Sequence, residues 1–278
     1  MNAADRQRPA PGELFVDHVS HFVADLDAAA RVVQSLGIRV TPASVQETTE
    51  GLVGASNRCV MLEEGYIELL SPTHDTPAAQ RMRGLMARYG GVHLVCYGTP
   101  DAEGEHRRLQ AQGFEPQPLV DLARAVDAGT ARFKVVRAAA EKMPEGRVQF
   151  VEQLTPEHLW RPSDVNPLRL DEVFVVGIDP IETAARWAHF AAVLPRPEGD
   201  GVRLETARGR IFVGPQAAVA KLLGEAPPAP AIAGYSLRCS HPQTLAARCT
   251  AVGIAVKKIG GRYAAKLPAA LGGVLVFG

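Results

Sequence analysis

The sequence has few cysteines and aromatic residues, no net charge and no long hydrophobic run, and each shortage excludes a class of protein. Its 278 residues include four cysteines, and none of them is in CxxC spacing: Cys59, Cys96, Cys239 and Cys249. A zinc cluster built from cysteine pairs is therefore not expected. Single cysteines of this kind are typical of reduced, mostly buried side chains in a cytoplasmic protein.

The charge balance excludes another set of partners. Thirty basic residues balance thirty acidic residues, and no basic cluster stands out. Nucleic acids and anionic membrane surfaces require clustered Lys and Arg, so neither is expected as a partner. No apolar run is long enough to span a bilayer, and the opening MNAADRQRPAPGEL has no apolar core of a signal peptide. We therefore expect a cytoplasmic protein.

A repeated order of one helix and several strands is present instead. FVDHVSHFV predicts a strand, DLDAAARVVQSLG a helix, and NRCVML and YIELL a pair of strands joined by a tight turn. The polar stretch 42–55 before this pair is predicted to be a loop. Similar units begin at GVHLVCY, LDEVFVVGI and AGYSLRC.

Four such units predict an α+β fold of four βαβββ modules in two pairs, each pair forming a cup of curved mixed sheet. We expect an N-terminal tail at 1–14 and a two-module domain at 15–162. The second pair of modules is expected at 163–278, after a Pro-rich link at 155–167.

Several segments carry a resemblance to a known family: DHVSHFVADLDAAARVV, YIELLSP, GGVHLVCYGTPDAEGEHRRLQAQG and VQFVEQLTPEHLWRP. The chain resembles the vicinal oxygen chelate superfamily, the glyoxalase and extradiol dioxygenase fold, and its bacterial glyoxalase-like branch in particular. The resemblance covers residues 15 to about 162, whereas the last two modules match in element order only. It implies a divalent metal held by the first and last strands of each module, at His18, Glu68, His93 and Glu152.

The residues themselves give partial support for this metal site. Each of the four side chains lies within an apolar strand, where an unpaired carboxylate would be costly to bury. Two imidazoles and two carboxylates at one place suit zinc, nickel, cobalt, manganese or iron. Polar residues at a sheet edge, or a buried salt-bridged network, are the alternatives. Ser236 replaces His93 in the second half, whose final strands lack carboxylates, so that half is expected to bind no metal.

The ligand set also bears on the reaction. Two His and two Glu resemble the ligand set of the isomerase and lyase branch of the superfamily. By this resemblance, Glu68 and Glu152 would be catalytic, and the metal would bind the oxygens of a small-molecule substrate. Without Glu68, the remaining His18, His93 and Glu152 resemble the ligand set of a dioxygenase. A non-catalytic binding or resistance protein on the same fold is a further alternative.

Five residues are candidate substrate-binding groups. Asn57 and Arg58 open the strand beside that of Glu68, Arg132 and Lys134 lie on the strand beside that of Glu152, and Trp160 follows the last strand of the second module. A cationic lining would suit a substrate with a carboxylate. The alternative is that the charges are solvated and that the tryptophan belongs to the core. Because four modules in one chain can complete a cup, a monomer or a homodimer is expected.

Overall fold

The structure, a computed structural model, describes residues 2–48 and 51–278. Its element order confirms the predicted α+β fold of four βαβββ modules. The strands of the first two modules are β1 (Phe15–Phe22), β2 (Ser44–Thr48), β3 (Gly51–Glu64), β4 (Tyr66–Pro72), β5 (Gly91–Gly98), β6 (Val120–Val126), β7 (Gly129–Arg137) and β8 (Arg147–Gln153). Those of the last two are β9 (Asn166–Val176), β10 (Pro195–Glu198), β11 (Gly201–Glu205), β12 (Arg210–Gly214), β13 (Ala231–Cys239), β14 (Val256–Ile259), β15 (Arg262–Lys266) and β16 (Val274–Phe277).

Each module has one helix after its first strand, and a further helix links the two modules of each pair. The helices are α1 (Leu26–Ser35), α2 (Pro77–Met86), α3 (Ala102–Ala111), α4 (Pro180–Ala191), α5 (Gln216–Leu223) and α6 (Pro242–Ala251). Capping carboxylates fix where helices begin: Asp25 accepts the backbone N–H groups of Asp27 and Ala28, and Asp179 does the same for α4. No helix in the described part of the chain is both long and apolar enough to cross a bilayer.

The first two modules form a closed barrel. Its strands pair in the order β1, β4, β3, β2, β6, β7, β8 and β5, and β5 pairs with β1 again. The ring closes where β2 meets β6, with Glu47 opposite Ala123 and Thr48 opposite Leu122. Closure leaves a cavity inside the barrel that has walls on all sides, which is where the candidate site lies.

Two strands lie within the stretch 42–55, where a loop was predicted. β2 occupies Ser44–Thr48 and β3 begins at Gly51, while residues 49 and 50 lie outside the described part. The segment is polar because β2 is the narrow seam of the barrel, half exposed along its length. Because the segment contains few apolar residues, its sequence shows no alternation of apolar and polar residues that would predict a strand.

The last two modules form an open sheet in the order β10, β11, β12, β9, β13, β16, β15 and β14. Phe174 and Phe212 on this sheet pack with Ala218, Val219 and Leu223 of α5, so side chains fill this part of the second half. β9 joins the two halves by pairing in parallel with β3, with Asn166 opposite Leu62. A single apolar cluster of buried side chains continues from the barrel into the second half.

Candidate active site

A narrow cup inside the barrel contains two of the four predicted metal ligands. His18 on β1 and Glu68 on β4 both line it, together with Tyr66, Asn57 and Gln149. Because β1 and β4 are neighbouring parallel strands, with Ser20 opposite Glu68, their inward side chains lie close together. The cup has room for about 40 Å³. That volume suits a small polar group rather than a whole substrate.

Three donors hold the carboxylate of Glu68 in place. The Ser20 hydroxyl donates to Oε2 at 2.5 Å. The Asn57 and Gln46 amides donate to Oε1 at 2.6 Å and 3.0 Å. Arg124, itself buried, donates to the carbonyl oxygen of the Asn57 side chain at 3.1 Å, which orients that amide toward Glu68. Glu68 is therefore fixed in one position with most of its acceptor capacity in use.

His18 forms a buried pair with its neighbour Asp17. The Nδ1 atom of His18 lies 2.6 Å from Oδ1 of Asp17, and the two side chains are 4% and 0% exposed. Gln153 donates to both oxygens of Asp17 at 3.3 Å, which holds the carboxylate. This contact places the imidazole proton on Nδ1 and leaves Nε2 as the basic nitrogen.

Tyr66 is the nearest polar neighbour of that nitrogen. Its ring stacks on His18 with centroids 4.2 Å apart, and its hydroxyl lies 3.4 Å from Nε2. Burial raises the pKa of Tyr66 well above its ordinary value, so the phenol stays protonated and can donate. The cup thus combines a basic nitrogen, a carboxylate and a phenolic donor.

The side chains of His93 and Glu152 do not lie in the cup. Leu94 and Val151 line the cup, and since strand side chains alternate, their neighbours His93 and Glu152 point to the opposite face. His93 donates from Nε2 to the carbonyl of Tyr89 at 2.9 Å, and burial lowers its pKa to about 4.

Glu152 has a structural contact of its own on that outer face. Its Oε2 accepts the backbone N–H of Ala102, the first residue of α3, at 3.1 Å. The four predicted metal ligands are therefore not brought to one point. The alternative dioxygenase set of His18, His93 and Glu152 is not brought together either.

Strand register explains the mismatch. On β1 and β5, His18 pairs with Cys96 and Ser20 pairs with Leu94. This reciprocal pairing makes Leu94 the two-fold counterpart of His18, and His93 the counterpart of Asp17. Tyr66 lies opposite His18 and Arg147 lies opposite Leu94, so Arg147 is the counterpart of Tyr66. Two residues further along each strand, Gln149 is therefore the counterpart of Glu68. A leucine cannot bind a metal, so the cup residues do not fit the predicted four-ligand site.

A different group of three buried side chains could hold a metal ion. Asp17, His18 and Cys96 bring a carboxylate, an imidazole and a thiol within 4.8 Å of one another. In the protein as described, Asp17 is already bonded to His18 and Gln153. Burial raises the pKa of the Cys96 thiol well above its ordinary value, so the thiolate that a metal requires is disfavoured here.

Of the five candidate substrate-binding residues, the structure places only Asn57 in the cup. Phe133 and Val135 of β7 point into it, so Arg132 and Lys134 point outward. Lys134 is bonded to Glu103 on α3 at 2.6 Å, and Arg132 is exposed.

The other two candidates are also engaged elsewhere. Arg58 forms an ion pair with Asp27 at 2.6 Å on the outer face. Trp160 donates its indole N–H to the carbonyl of Leu62 at 3.1 Å and packs edge-on against Tyr66. It therefore closes the barrel core behind the cup.

The structure also brings in residues that the sequence did not single out. They share an inward position on strands of the barrel: Asp17, Gln46, Arg124, Arg137, Arg147 and Gln149. Arg147 and Gln149 alternate with buried apolar residues along β8. That alternation could have identified Arg147 and Gln149 as cup residues, because polar residues on the inner face of a strand are otherwise unusual.

In the second half, Glu172 occupies the position of His18. Arg210 lies opposite Glu172 in the same way that Tyr66 lies opposite His18. Glu172 is 1% exposed and is surrounded by arginines. Nitrogens of Arg203, Arg262 and Arg210 lie 3.0, 3.1 and 3.3 Å from its oxygens. An ion network thus replaces the polar cup in this copy.

Barrels built from paired βαβββ modules with an enclosed polar cup define the vicinal oxygen chelate fold, and the relatives of this chain agree. A family model for the glyoxalase-like domain matches residues 16–191. The chain therefore belongs to the glyoxalase-like domain family. Among curated proteins, none matches it in sequence.

Solved structures show the same fold at low sequence identity. A hypothetical protein from Staphylococcus aureus is 14% identical with a TM-score of 0.66, over 95% of this chain and 98% of that one. A mutant of 4-hydroxymandelate synthase from Streptomyces coelicolor is 15% identical with a TM-score of 0.59, over 95% and 92%. A fusion of a xylose isomerase-like TIM barrel with 4-hydroxyphenylpyruvate dioxygenase is 10% identical with a TM-score of 0.58, over 95% of this chain and 48% of that one.

Proposed function

We propose that this protein is an enzyme that moves a proton at a carbon next to a carbonyl group, with His18 as the base. The observation that carries the proposal is the buried Asp17–His18 pair, in which Nδ1 is bonded and Nε2 is left beside the cup. The same pairing of carboxylate and imidazole makes histidine an effective base in many unrelated enzymes.

The proposed reaction begins with the removal of a proton from the substrate carbon. Nε2 of His18 takes a proton from the substrate carbon, the C–H electron pair forms a C=C bond, and the carbonyl π electrons move onto oxygen. The enolate oxygen accepts a hydrogen bond from Tyr66, whose raised pKa keeps the phenol protonated. Asp17 stabilises the imidazolium that forms. Return of a proton to the same face of this carbon regenerates the substrate with hydrogen exchange, and its delivery to the opposite face gives racemisation. In an α-hydroxy carbonyl substrate, delivery to the former carbonyl carbon, with the hydroxyl proton passing to the enolate oxygen, gives the isomer.

Glu68 has a positioning role in this proposal. Its three donors fix it on the cup wall, and its remaining acceptor capacity can bind a substrate hydroxyl. Glu152, the other predicted catalytic carboxylate, caps α3 and takes no part. The lyase reaction and the cytoplasmic location remain predictions from the sequence, whereas the residues predicted to hold a divalent metal do not meet at one point.

Exchange of substrate hydrogen for solvent deuterium, followed by NMR, tests the proposal whatever the final product is. The panel contains 2-oxooctanoate and its neutral analogue octan-2-one. We expect exchange that is lost in His18→Gln and unchanged in His106→Gln, an imidazole on α3 outside the barrel. Binding of a panel member without any exchange would instead support the binding-protein alternative.

A further inference from the structure

A second, larger cavity opens directly from the cup. It has a volume of about 510 Å³ and shares Gln46, Arg137 and Arg147 with the cup, so these three residues form the throat between them. The cup alone holds about 40 Å³. A substrate must therefore place most of its atoms in the larger chamber and only its reactive group in the cup.

The chamber has mostly apolar walls. Its lining includes Val53, Met82, Leu85, Met143 and Val148, contributed by β3, α2, the segment before β8 and β8 itself. Pro230, from the segment before β13 in the second half, completes the wall. Such a surface binds an apolar body by removing it from water.

The throat is cationic, and neither of its guanidinium groups has an ion-pair partner among the described residues. Arg147 has no hydrogen bond or ion pair with any described residue, and its guanidinium packs over Phe22 at 5.2 Å. Arg137 donates only its Nε–H, to the side-chain oxygen of Gln149 at 3.1 Å. No carboxylate of the described residues lies within ion-pair distance of either guanidinium, although a desolvated charge normally requires a partner.

The electrostatics of the throat agree with this geometry. Burial lowers the pKa of Arg147 to about 9, and the charge of Arg137 lowers it further in the same direction. Burial likewise lowers the pKa of Arg137. A bound anion would stabilise the charged form of both guanidinium groups.

We propose that the chamber and throat bind an organic acid with an apolar body, its carboxylate held between Arg137 and Arg147. Two guanidinium groups match the two oxygens of a carboxylate, and the terminal nitrogens of both are unbonded among the described residues. The oxygenated carbon beside the carboxylate then enters the cup. This inference rests on the proposed function only for that last placement, since the binding of the acid requires no chemistry.

Calorimetric titration with octanoate and with octanamide tests the inference on the intact protein. The two probes share the apolar body and differ in charge. We expect octanoate to bind more tightly by about tenfold or more. We expect Arg147→Met to remove this preference, while Arg132→Met, the same change at an exposed arginine outside both cavities, leaves it intact.

Equal affinity for the two probes, or an unchanged preference in Arg147→Met, overturns the inference. Thermal unfolding shows whether a variant is folded, and Arg137→Met provides a second, independent removal of charge. Acetate, which has the charge without the apolar body, is expected to bind far more weakly than octanoate.

The outcomes separate this inference from the proposed function. If octanoate binds more tightly than octanamide but no panel member exchanges deuterium, the proposed function is contradicted and the inference is supported. If octan-2-one exchanges deuterium but octanoate binds no more tightly than octanamide, the proposed function is supported and the inference is contradicted.

Discussion

The Nδ1 atom of His18 lies 2.6 Å from a carboxylate oxygen of Asp17, and both side chains are buried. Adjacent residues of a regular strand would point to opposite faces, yet these two side chains meet. The register of β1 against β5 shifts between Val16 and His18 and again between Ser20 and His21. Such irregularities re-aim side chains at functional sites, and here they let one strand supply both members of the pair.

Asp17→Asn tests the importance of this pair for the reaction. The amide cannot stabilise the imidazolium, so we expect the deuterium exchange rate to fall by about 10²-fold or more. Octanoate affinity should remain unchanged because the throat is intact. An unchanged thermal unfolding temperature, together with this affinity, distinguishes the positioning role of Asp17 from a loss of fold. Full exchange activity in Asp17→Asn would contradict the assignment.

The metal content of the purified protein is a second test. We expect less than one divalent ion per chain and no effect of EDTA on exchange or octanoate binding. The reason is that Leu94 occupies the counterpart position of His18, and the oxygens of Glu68 are already bonded. One ion per chain that disappears in His18→Gln would contradict this expectation. Its loss in Cys96→Ser as well would place the ion at Asp17, His18 and Cys96.

Acid should destabilise the contact between the two halves. His21 donates from Nδ1 to the carbonyl of Leu271 at 3.1 Å and accepts from the Tyr235 hydroxyl at 3.2 Å, and burial lowers its pKa to about 4. Between pH 6.5 and 4 the unfolded chain protonates this histidine and the folded protein does not. The free energy of unfolding should therefore fall by roughly 3 kcal/mol as the pH drops through this range.

Denaturant unfolding at several pH values measures this effect. His21→Gln should be less stable than the wild type at pH 7 but should lose less stability on acidification. His93, whose pKa is also lowered to about 4 by burial, contributes in the same direction and remains in the variant. Identical pH dependence in the two proteins would contradict the role of His21.

The ion network of the second half provides a stability prediction. Glu172→Gln leaves three arginines around a neutral side chain, so we expect a loss on the order of 3 kcal/mol in the free energy of unfolding. Glu198→Gln is the matched control, because Glu198 contacts Arg203 at the surface and is 46% exposed. That change should cost less than about 1 kcal/mol. Equal effects of the two changes would show that burial of Glu172 is unimportant.

The sequence predicted the module order and part of the site. Apolar strands of regular length and capped helices identify βαβββ units, and His18, Glu68 and Asn57 do line the cup. His93 was a natural choice because it lies in a similar strand, but its register makes it the counterpart of Asp17. A shift of one residue moves a side chain to the other face of a sheet, and the irregularities of β1 leave no mark in the sequence.

The arginines of the throat could not be predicted for a different reason. Arg137 and Arg147 come from the end of β7 and the start of β8, and they meet the cup only because the barrel closes through β2 and β6. That closure involves the polar stretch predicted as a loop. A basic residue at a strand end is usually solvated, so only the three-dimensional structure separates Arg147 from Arg132.

Pro230 belongs to the second half, yet it forms part of the chamber wall, and the carbonyl of the same residue accepts a hydrogen bond from Arg88 of the first half. The groups assigned to chemistry all lie on the first two modules. Mutations in the second half can therefore alter the shape of the chamber while the acid–base residues stay untouched. A duplicated copy that has lost its own cup would thus give evolution a separate part of the chain in which to vary substrate selectivity.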